Sequence, residues 1–595
     1  MKRLSLGKIA ALVICYFTLA AGVVVNKTVF ERLPHLEDEF AYLYQAKIFA
    51  GGHTYVVRNE PVKVFWQPFV IQPETSPDGI QKRFGKYTPG WPLLLAIAVL
   101  FNAPWLMGPV LGTLNVAIVY RLGREIFDEG VGLTSALLLA ISPMALLLNA
   151  TLMSHVPAMF LGEVFVYAYW RLTRHGKGRY RWAILGGLAL GLMISTRPLS
   201  AAAIGVPVIL HALSRLLDVL NKDFPRRVLA MLRPLLVLSL FVIPTAGLWP
   251  LFNHIWTGDW RTNTYTLLWS YDRPGFGPGY GLNPGGHSIE YGWRNARADM
   301  EWYLRDLFGF TMRDDIAKYL KDNLGWGAGN GISWILVIAG LFAGRKREWL
   351  WLFAELFVAV FIAQLTYWIG SVVHGGAAYS LRYWYEGTFG VCLVAGYGAV
   401  ALVRAVRPAY KAPLTGRAVR ISYLNGIQGN ESVPVNTSTR NTAQGLRRLW
   451  YTLWPGYLIL LAICVMSLLG YTPARFRESM PPDWPNGLYG YNKIGQHQLD
   501  ALNAMRARYG QPGQPVLIVV LRRQGQEDNW RDYGAAMAVS SPYLDSDIIV
   551  ARVFEPEDAP EVIQRFPGRL VLYQVGEDLY KAIDDAMNGA AQESS

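Results

Sequence analysis

The chain has 595 residues, of which 52% are apolar, 21 are Trp and only 17% are charged; with apolar runs recurring along its length, this excludes an ordinary soluble enzyme and calls for a polytopic α-helical membrane protein. Its net charge of +13 does not point to a nucleic-acid partner, because Lys and Arg sit in short loops between apolar runs and form no single basic stripe. Cys15, Cys392 and Cys464 all lie inside apolar runs, which excludes a disulfide framework and a thiolate metal cluster.

Residues 9–25 read as a first span, and Lys2, Arg3 and Lys8 ahead of it place the N-terminus in the cytoplasm. No small-residue cleavage site follows, so the segment is expected to be retained. An outer loop, 26–88, comes next. Within it residues 35–52, HLEDEFAYLYQAKIFAGG, predict an interfacial helix: Asp38, Tyr42, Gln45 and Phe49 share one row, and Phe40, Leu43, Lys47 and Ala50 a more apolar one. Further apolar segments fall at 89–101, 105–120, 131–149, 156–171, 182–195, 199–213, 234–255, 332–343, 349–369, 384–403 and 453–469. Counting all twelve as crossings would put the basic loop 171–182 outside. Treating 89–101 as interfacial or re-entrant, too short for about 30 Å of hydrocarbon, gives eleven crossings, every basic loop inside and an outward C-terminus.

The predicted organisation is therefore a transmembrane core over 1–403 with outer loops 26–88 and 256–331, a polar cytoplasmic linker over 404–452, a last span at 453–469, and a small extracytoplasmic α/β domain over 470–595. The sequons at Asn430 and Asn436 fall in the linker, on a side where glycosylation does not reach them. This topology also brings Asp38, His155, Arg197, His287, Glu290, Arg382 and Glu386 to one side of the membrane. A carboxylate there can take the proton of an acceptor hydroxyl as it attacks a sugar carbon, with Asp38 the candidate base. A leaving phosphate would call for Arg or Lys, and Lys86, Arg197 and Arg382 are available. Plainer roles stand beside these: snorkelling for Lys86, a lipid or carbonyl partner for Arg197, mutual pairing of Arg382 and Glu386 one turn apart, and helix-end or structural roles for His155, His287 and Glu290. The aromatics of 383–389 read as an interfacial belt.

Asp38-Glu39, followed by Tyr42 and an apolar stretch ending in Gly51-Gly52, resembles the first outer loop of GT-C membrane glycosyltransferases, in particular lipid A aminoarabinose transferases and protein O-mannosyltransferases. Lys86-Tyr87-Thr88-Pro89 is similar to the Lys-Pro-Pro turn that closes that loop, Thr196-Arg197-Pro198 to a Thr-Lys-Gly-Pro turn facing the donor phosphate, and Arg382-Tyr383 to the start of a late family helix. The resemblance implies a GT-C fold in a plasma or inner membrane, acting among membrane lipids. It implies transfer of one sugar, with inversion, from a polyprenyl-phosphate donor to a lipid, glycan or protein acceptor. Asp38 would be the base with Glu39 beside it, and Tyr42, Lys86, Tyr87, Arg197 and Arg382 would face substrate; the outer-face topology, not the resemblance, adds His155, His287, Glu290 and Glu386 as candidate substrate-binding residues.

Two features depart from the family pattern. Ser154-His155 stands where many relatives carry an Asp, and the stretch 286–302 of the long loop has no counterpart, leaving lid, acceptor site or packing open. No cofactor beyond the lipid donor is implied, and no second acid is placed with Asp38 to make a metal site, so a divalent cation is unassigned. The main alternative is a transporter or flippase for a lipid-linked glycan. Such proteins place ionisable groups near the midplane and often repeat internally, whereas these spans contain few acids, Glu163 and Glu355 being the exceptions, and show no repeat. An inactive scaffold is the third reading.

Overall fold

The computed structural model describes residues 5–58, 64–73, 78–174, 178–220, 225–324, 330–374, 379–405, 456–477, 487–521, 529–553 and 556–586. Most of the predicted linker 404–452, with both sequons, lies outside them. Helix α1 (Leu6–Thr28) is 23 residues long, about 35 Å, enough to cross hydrocarbon. Pro34 ends the turn after it, and α2 (Glu37–Ala50) begins with Glu37, Asp38 and Glu39 in its first turn, where acids complement the positive end of the helix. Under α2 lies a small antiparallel sheet not anticipated from the sequence, ordered β1 (Val56–Val57), β3 (Lys82–Gly85), β2 (Val70–Ile71).

The apolar helices continue with α3 (Gly90–Leu100), α4 (Met107–Ile126), α5 (Glu129–Ile141), α6 (Pro143–Asn149), α7 (His155–Thr173), α8 (Arg179–Ile194), α9 (Pro198–Leu220), α10 (Pro225–Ala246) and α11 (Leu248–Thr257). The long loop then supplies α12 (Thr264–Leu268), α13 (Ile289–Asp306) and α14 (Asp314–Leu324) before α15 (Trp334–Ala343), α16 (Glu348–Leu365) and α17 (Thr388–Ala405). Among the described residues seven helices have the length and apolarity to cross a membrane, the seventh being Gly456–Arg477, and an eighth arises if α5 and α6 form one bent span. Their 65° bend falls at Pro143, which cannot continue α5 and starts α6 under the Ser142 cap. At 11 residues α3 is too short to span, as expected. The 16 residues of α8 and the 10 of α15, about 24 and 15 Å, are also short. Length and apolarity alone therefore establish fewer than eleven crossings. Helix α8 nevertheless packs tightly on α10: a Cβ at Gly187 or Gly191 would come within 2.3 Å of the Leu238 or Val242 carbonyl oxygen, so the four-residue glycine spacing sets the close approach.

The C-terminal part forms a four-stranded sheet ordered β5 (Ile548–Val553), β4 (Val516–Leu521), β6 (Leu570–Val575), β7 (Asp578–Tyr580), with β4 parallel to both neighbours. All six residues of β4 are buried, as a central strand covered on both faces requires. The covering layers include the outer loop: Leu33 and Phe40 share an apolar cluster with Ile494, Trp530 and Tyr533, and Phe65 packs with Leu517 and Val519 on the other face.

Candidate active site

A cavity of about 470 Å³ opens where the start of α2, the end of β3, the α8–α9 turn, the long loop and the segment before α17 meet. Asp38 and Tyr42, one turn apart, face it from α2. The Tyr87 hydroxyl donates to Asp38 Oδ1 at 2.5 Å, and Arg382 Nη2 stands 3.8 Å from Oδ2. Burial, with Asp38 alongside, holds the Tyr87 phenol well above its ordinary range, so Tyr87 acts as a donor and one carboxylate oxygen remains open to the cavity. Tyr42 bonds Ser154 Oγ at 2.9 Å and lies against the Tyr87 ring, centroids 4.5 Å apart.

Glu39 is placed differently from what the sequence implied. It points away from the cavity, 1% exposed, with Oε2 accepting from the His35 and Leu36 N–H groups and from Tyr379 OH, and Oε1 accepting from the Leu152 N–H. Burial raises its pKa against the opposing pull of these bonds. Both oxygens are used in capping α2 and tying it to the bundle, which is a structural role beside the candidate base Asp38.

The cations differ in their company. Lys86 sits 2.6 Å from Asp272 Oδ2, both nearly inaccessible, inside a cage of rings from Trp269 (4.2 Å), Phe69 (4.6 Å), Tyr265 (5.4 Å) and Tyr87 (5.7 Å). Asp272 is held in turn by Tyr367 OH and Trp368 Nε1. Arg197 Nε lies 2.6 Å from Glu386 Oε1, which also receives His155 Nδ1 at 3.1 Å. Arg382 and Glu386 therefore do not pair with each other; Glu386 serves Arg197 and His155. Arg382 is 8% exposed, and its Nε and Nη1 have no hydrogen-bond partner among the described residues.

The sequence-predicted set thus divides. Asp38, Tyr42, Lys86, Tyr87, His155, Arg197 and Arg382 line the cavity, Glu386 stands behind His155 and Arg197, and Glu39 faces the core. His287 and Glu290 are not brought to it: His287 Nε2 bonds the Leu365 carbonyl and its ring stacks on Phe276, while Glu290 is exposed. The expected belt at 383–389 is also displaced, because Trp384, Tyr385 and Phe389 are core residues at 2% exposure or less and Tyr383 lines the cavity. Missed from sequence were Glu37, Ser154, Asp272 and the cage aromatics Phe69, Tyr265 and Trp269; the one available signal was an acid set among Tyr265, Trp269 and Tyr271. Among the described residues no group of three or more His, Cys, Asp or Glu is arranged to hold a metal ion.

Residues 94–247 match the family model described as dolichyl-phosphate-mannose-protein mannosyltransferase. The match covers 154 of the 595 residues. It runs from α3 to just past α10 and carries His155 and Arg197, while Asp38, Lys86 and Arg382 lie outside it. Among solved structures, ArnT from Cupriavidus metallidurans bound to undecaprenyl phosphate is 13% identical, with a TM-score of 0.47 over 96% of this chain and 89% of its own. Its apo state is 14% identical, with a TM-score of 0.47 over 98% and 94%. The archaeal oligosaccharyltransferase AglB from Archaeoglobus fulgidus, solved with an inhibitory peptide and a dolichol-phosphate, is 13% identical, with a TM-score of 0.38 over 95% and 69%. No curated protein matches the chain significantly.

Proposed function

We propose that the chain moves a single sugar from a polyprenyl-phosphate donor to an acceptor hydroxyl at the extracytoplasmic face, with inversion and with Asp38 as general base. The observation that carries this reading is a carboxylate oxygen of Asp38 left open beside Arg382, in a cavity that also reaches Leu199 on α9 and Trp249 on α11. Both belong to helices apolar enough to face lipid, so a prenyl tail could stay in hydrocarbon while its phosphate reaches the cations. The family description of residues 94–247, which names a lipid-phosphate sugar, supports the donor class.

In the proposed step the acceptor hydroxyl gives its proton to Asp38 and its oxygen attacks the anomeric carbon opposite the phosphate. The bond from that carbon to the phosphate oxygen breaks, and polyprenyl phosphate leaves with the electron pair. Its charge would be met by Arg382, with Lys86 and Arg197 flanking. Tyr87 fixes the Asp38 carboxylate, and the cage aromatics offer faces for the sugar ring. The accompanying topology has eleven crossings, a cytoplasmic N-terminus and the C-terminal domain outside.

A turnover assay on purified protein with a panel of polyprenyl-phosphate sugars tests this. One donor should be consumed by the wild type, and Asp38→Asn should slow it by about 10²- to 10⁴-fold, with Arg382→Ala also impaired. Transfer retained by Asp38→Asn would remove the base assignment; a labelled donor crossing a proteoliposome bilayer unconsumed would make the protein a transporter.

A further inference from the structure

The helix carrying Asp38 is gripped from behind by the C-terminal domain. At 100° per residue, Phe40 and Lys47 lie roughly opposite Asp38 around α2. Phe40 meets the Trp530 ring edge-on at 5.2 Å within the domain's own apolar cluster. Lys47 Nζ donates to the Ala538 and Ser540 carbonyls, both at 2.7 Å, where the short helix Gly534–Val539 ends and its carbonyls are free for a cation. Tyr543 OH donates to the Ile48 carbonyl at 2.9 Å. At the front of α2, Asn492 Nδ2 donates to the His35 carbonyl, His35 Nδ1 meets the Tyr491 carbonyl at 2.7 Å, and Arg531 stands 3.6 Å from Glu37, a residue of the cavity wall. Domain contacts thus run from His35 to Ile48, almost the whole helix.

We propose that the C-terminal α/β domain is a working part of the site: it clamps α2 from the face away from the cavity, with Phe40 and Lys47 as positioning residues for Asp38. This rests on the transferase reading for its effect on turnover, though not for the clamp itself. The base must sit within hydrogen-bond reach of a hydroxyl held in the cavity, and a misplacement of about 1 Å from a remote change can cost about 100-fold. Glu39 fixes the first turn of α2; further along, Tyr42 bonds Ser154 and Gln45 Oε1 receives the Gly85 N–H on the bundle side, while Phe40 and Lys47 tie the opposite face to the domain.

The test uses the full chain in nanodiscs with Lys47→Glu, which sets a carboxylate against two carbonyl oxygens, and Phe40→Ala, which removes the ring from Trp530; Lys47→Arg keeps both donors. Hydrogen exchange over residues 36–50 should speed up by about tenfold or more in the first two, while β4 amides stay protected. Turnover should fall by about 10- to 100-fold with donor KM within about twofold, and Lys47→Arg should restore both readouts. Unchanged α2 exchange in Lys47→Glu and Phe40→Ala overturns the clamp. Loosened α2 with full turnover overturns its positioning role. If the wild type consumes no lipid-linked sugar, the transferase reading fails, and the exchange comparison still decides the clamp.

Discussion

The Lys86–Asp272 pair should be strongly coupled, and its strength can be worked from the cavity geometry. Each group is at most 3% exposed and they stand 2.6 Å apart, so removing either leaves a charge in a site with little water. Breaking a buried pair from one side costs about 3–5 kcal/mol. Asp272→Asn keeps an acceptor for Tyr367 OH and Trp368 Nε1, and leaves Lys86 among four rings that each return about 0.5–2 kcal/mol; its cost should lie near the lower end, about 3 kcal/mol. Lys86→Met leaves Asp272 with only those two neutral donors, and should cost about 4–5 kcal/mol. The double variant buries no unpaired charge, so it should recover about 2–3 kcal/mol of the summed loss. Equilibrium unfolding in mixed micelles, run as a double-mutant cycle, measures that term. Single losses that add to within about 0.5 kcal/mol would refute the buried-pair reasoning and leave Lys86 held by its aromatic cage alone.

Two further outcomes follow from single residues. Glu39→Gln turns an amide N–H₂ toward backbone donors at His35, Leu36 or Leu152; thermal unfolding should show a loss of about 1–3 kcal/mol, with a turnover defect smaller than that of Asp38→Asn. Burial pulls Lys47 down to about 8 from an ordinary 10.5. The cost of burying its ammonium is thus present in full below the folded value and disappears above the unfolded one. Domain docking should therefore tighten between about pH 8 and 10.5, by up to about 3 kcal/mol. Exchange of α2 amides, corrected for intrinsic rates, should slow across that interval in the wild type and stay flat in Lys47→Arg; exchange that accelerates would contradict the sign.

The sequence made α2 readable through the helical spacing of its residue rows. The row of Asp38 and Tyr42 proved to be the cavity wall, and Phe40 and Lys47 of the more apolar row proved to face the C-terminal domain. What the row could not reveal was its covering, since Ala538 and Trp530 lie almost 500 residues further along the chain. Glu39 was misread for the same reason. Its partners Leu152 and Tyr379 are 113 and 340 residues away, so an acid adjacent to the candidate base looked like part of the chemistry. Lys86 was legible as a basic residue in a turn, but its neutralisation by Asp272 and its cage draw on several separate segments, and only tertiary structure joins them. His287 and Glu290 followed from side-of-membrane reasoning, which assigns a face and cannot say whether a residue on it reaches the cavity.

The charges around the cavity bear on when catalysis would act in the proposed reaction. Lys86 and Arg197 each have a carboxylate at 2.6 Å, and Arg382 alone of the three keeps buried N–H groups unpartnered among the described residues. A polyprenyl-phosphate sugar is a phosphodiester with one negative charge, which Arg382 can meet in the ground state. Cleavage of the sugar–oxygen bond develops further negative charge on the departing phosphate. Asp272 and Glu386 hold Lys86 and Arg197 in fixed positions at little net charge, so these cations would add little to ground-state binding and would be pre-oriented for the charge that appears later. On this argument Arg382→Lys should raise donor KM, whereas loosening the Arg197–Glu386 pair with Glu386→Gln should lower kcat more than it changes KM.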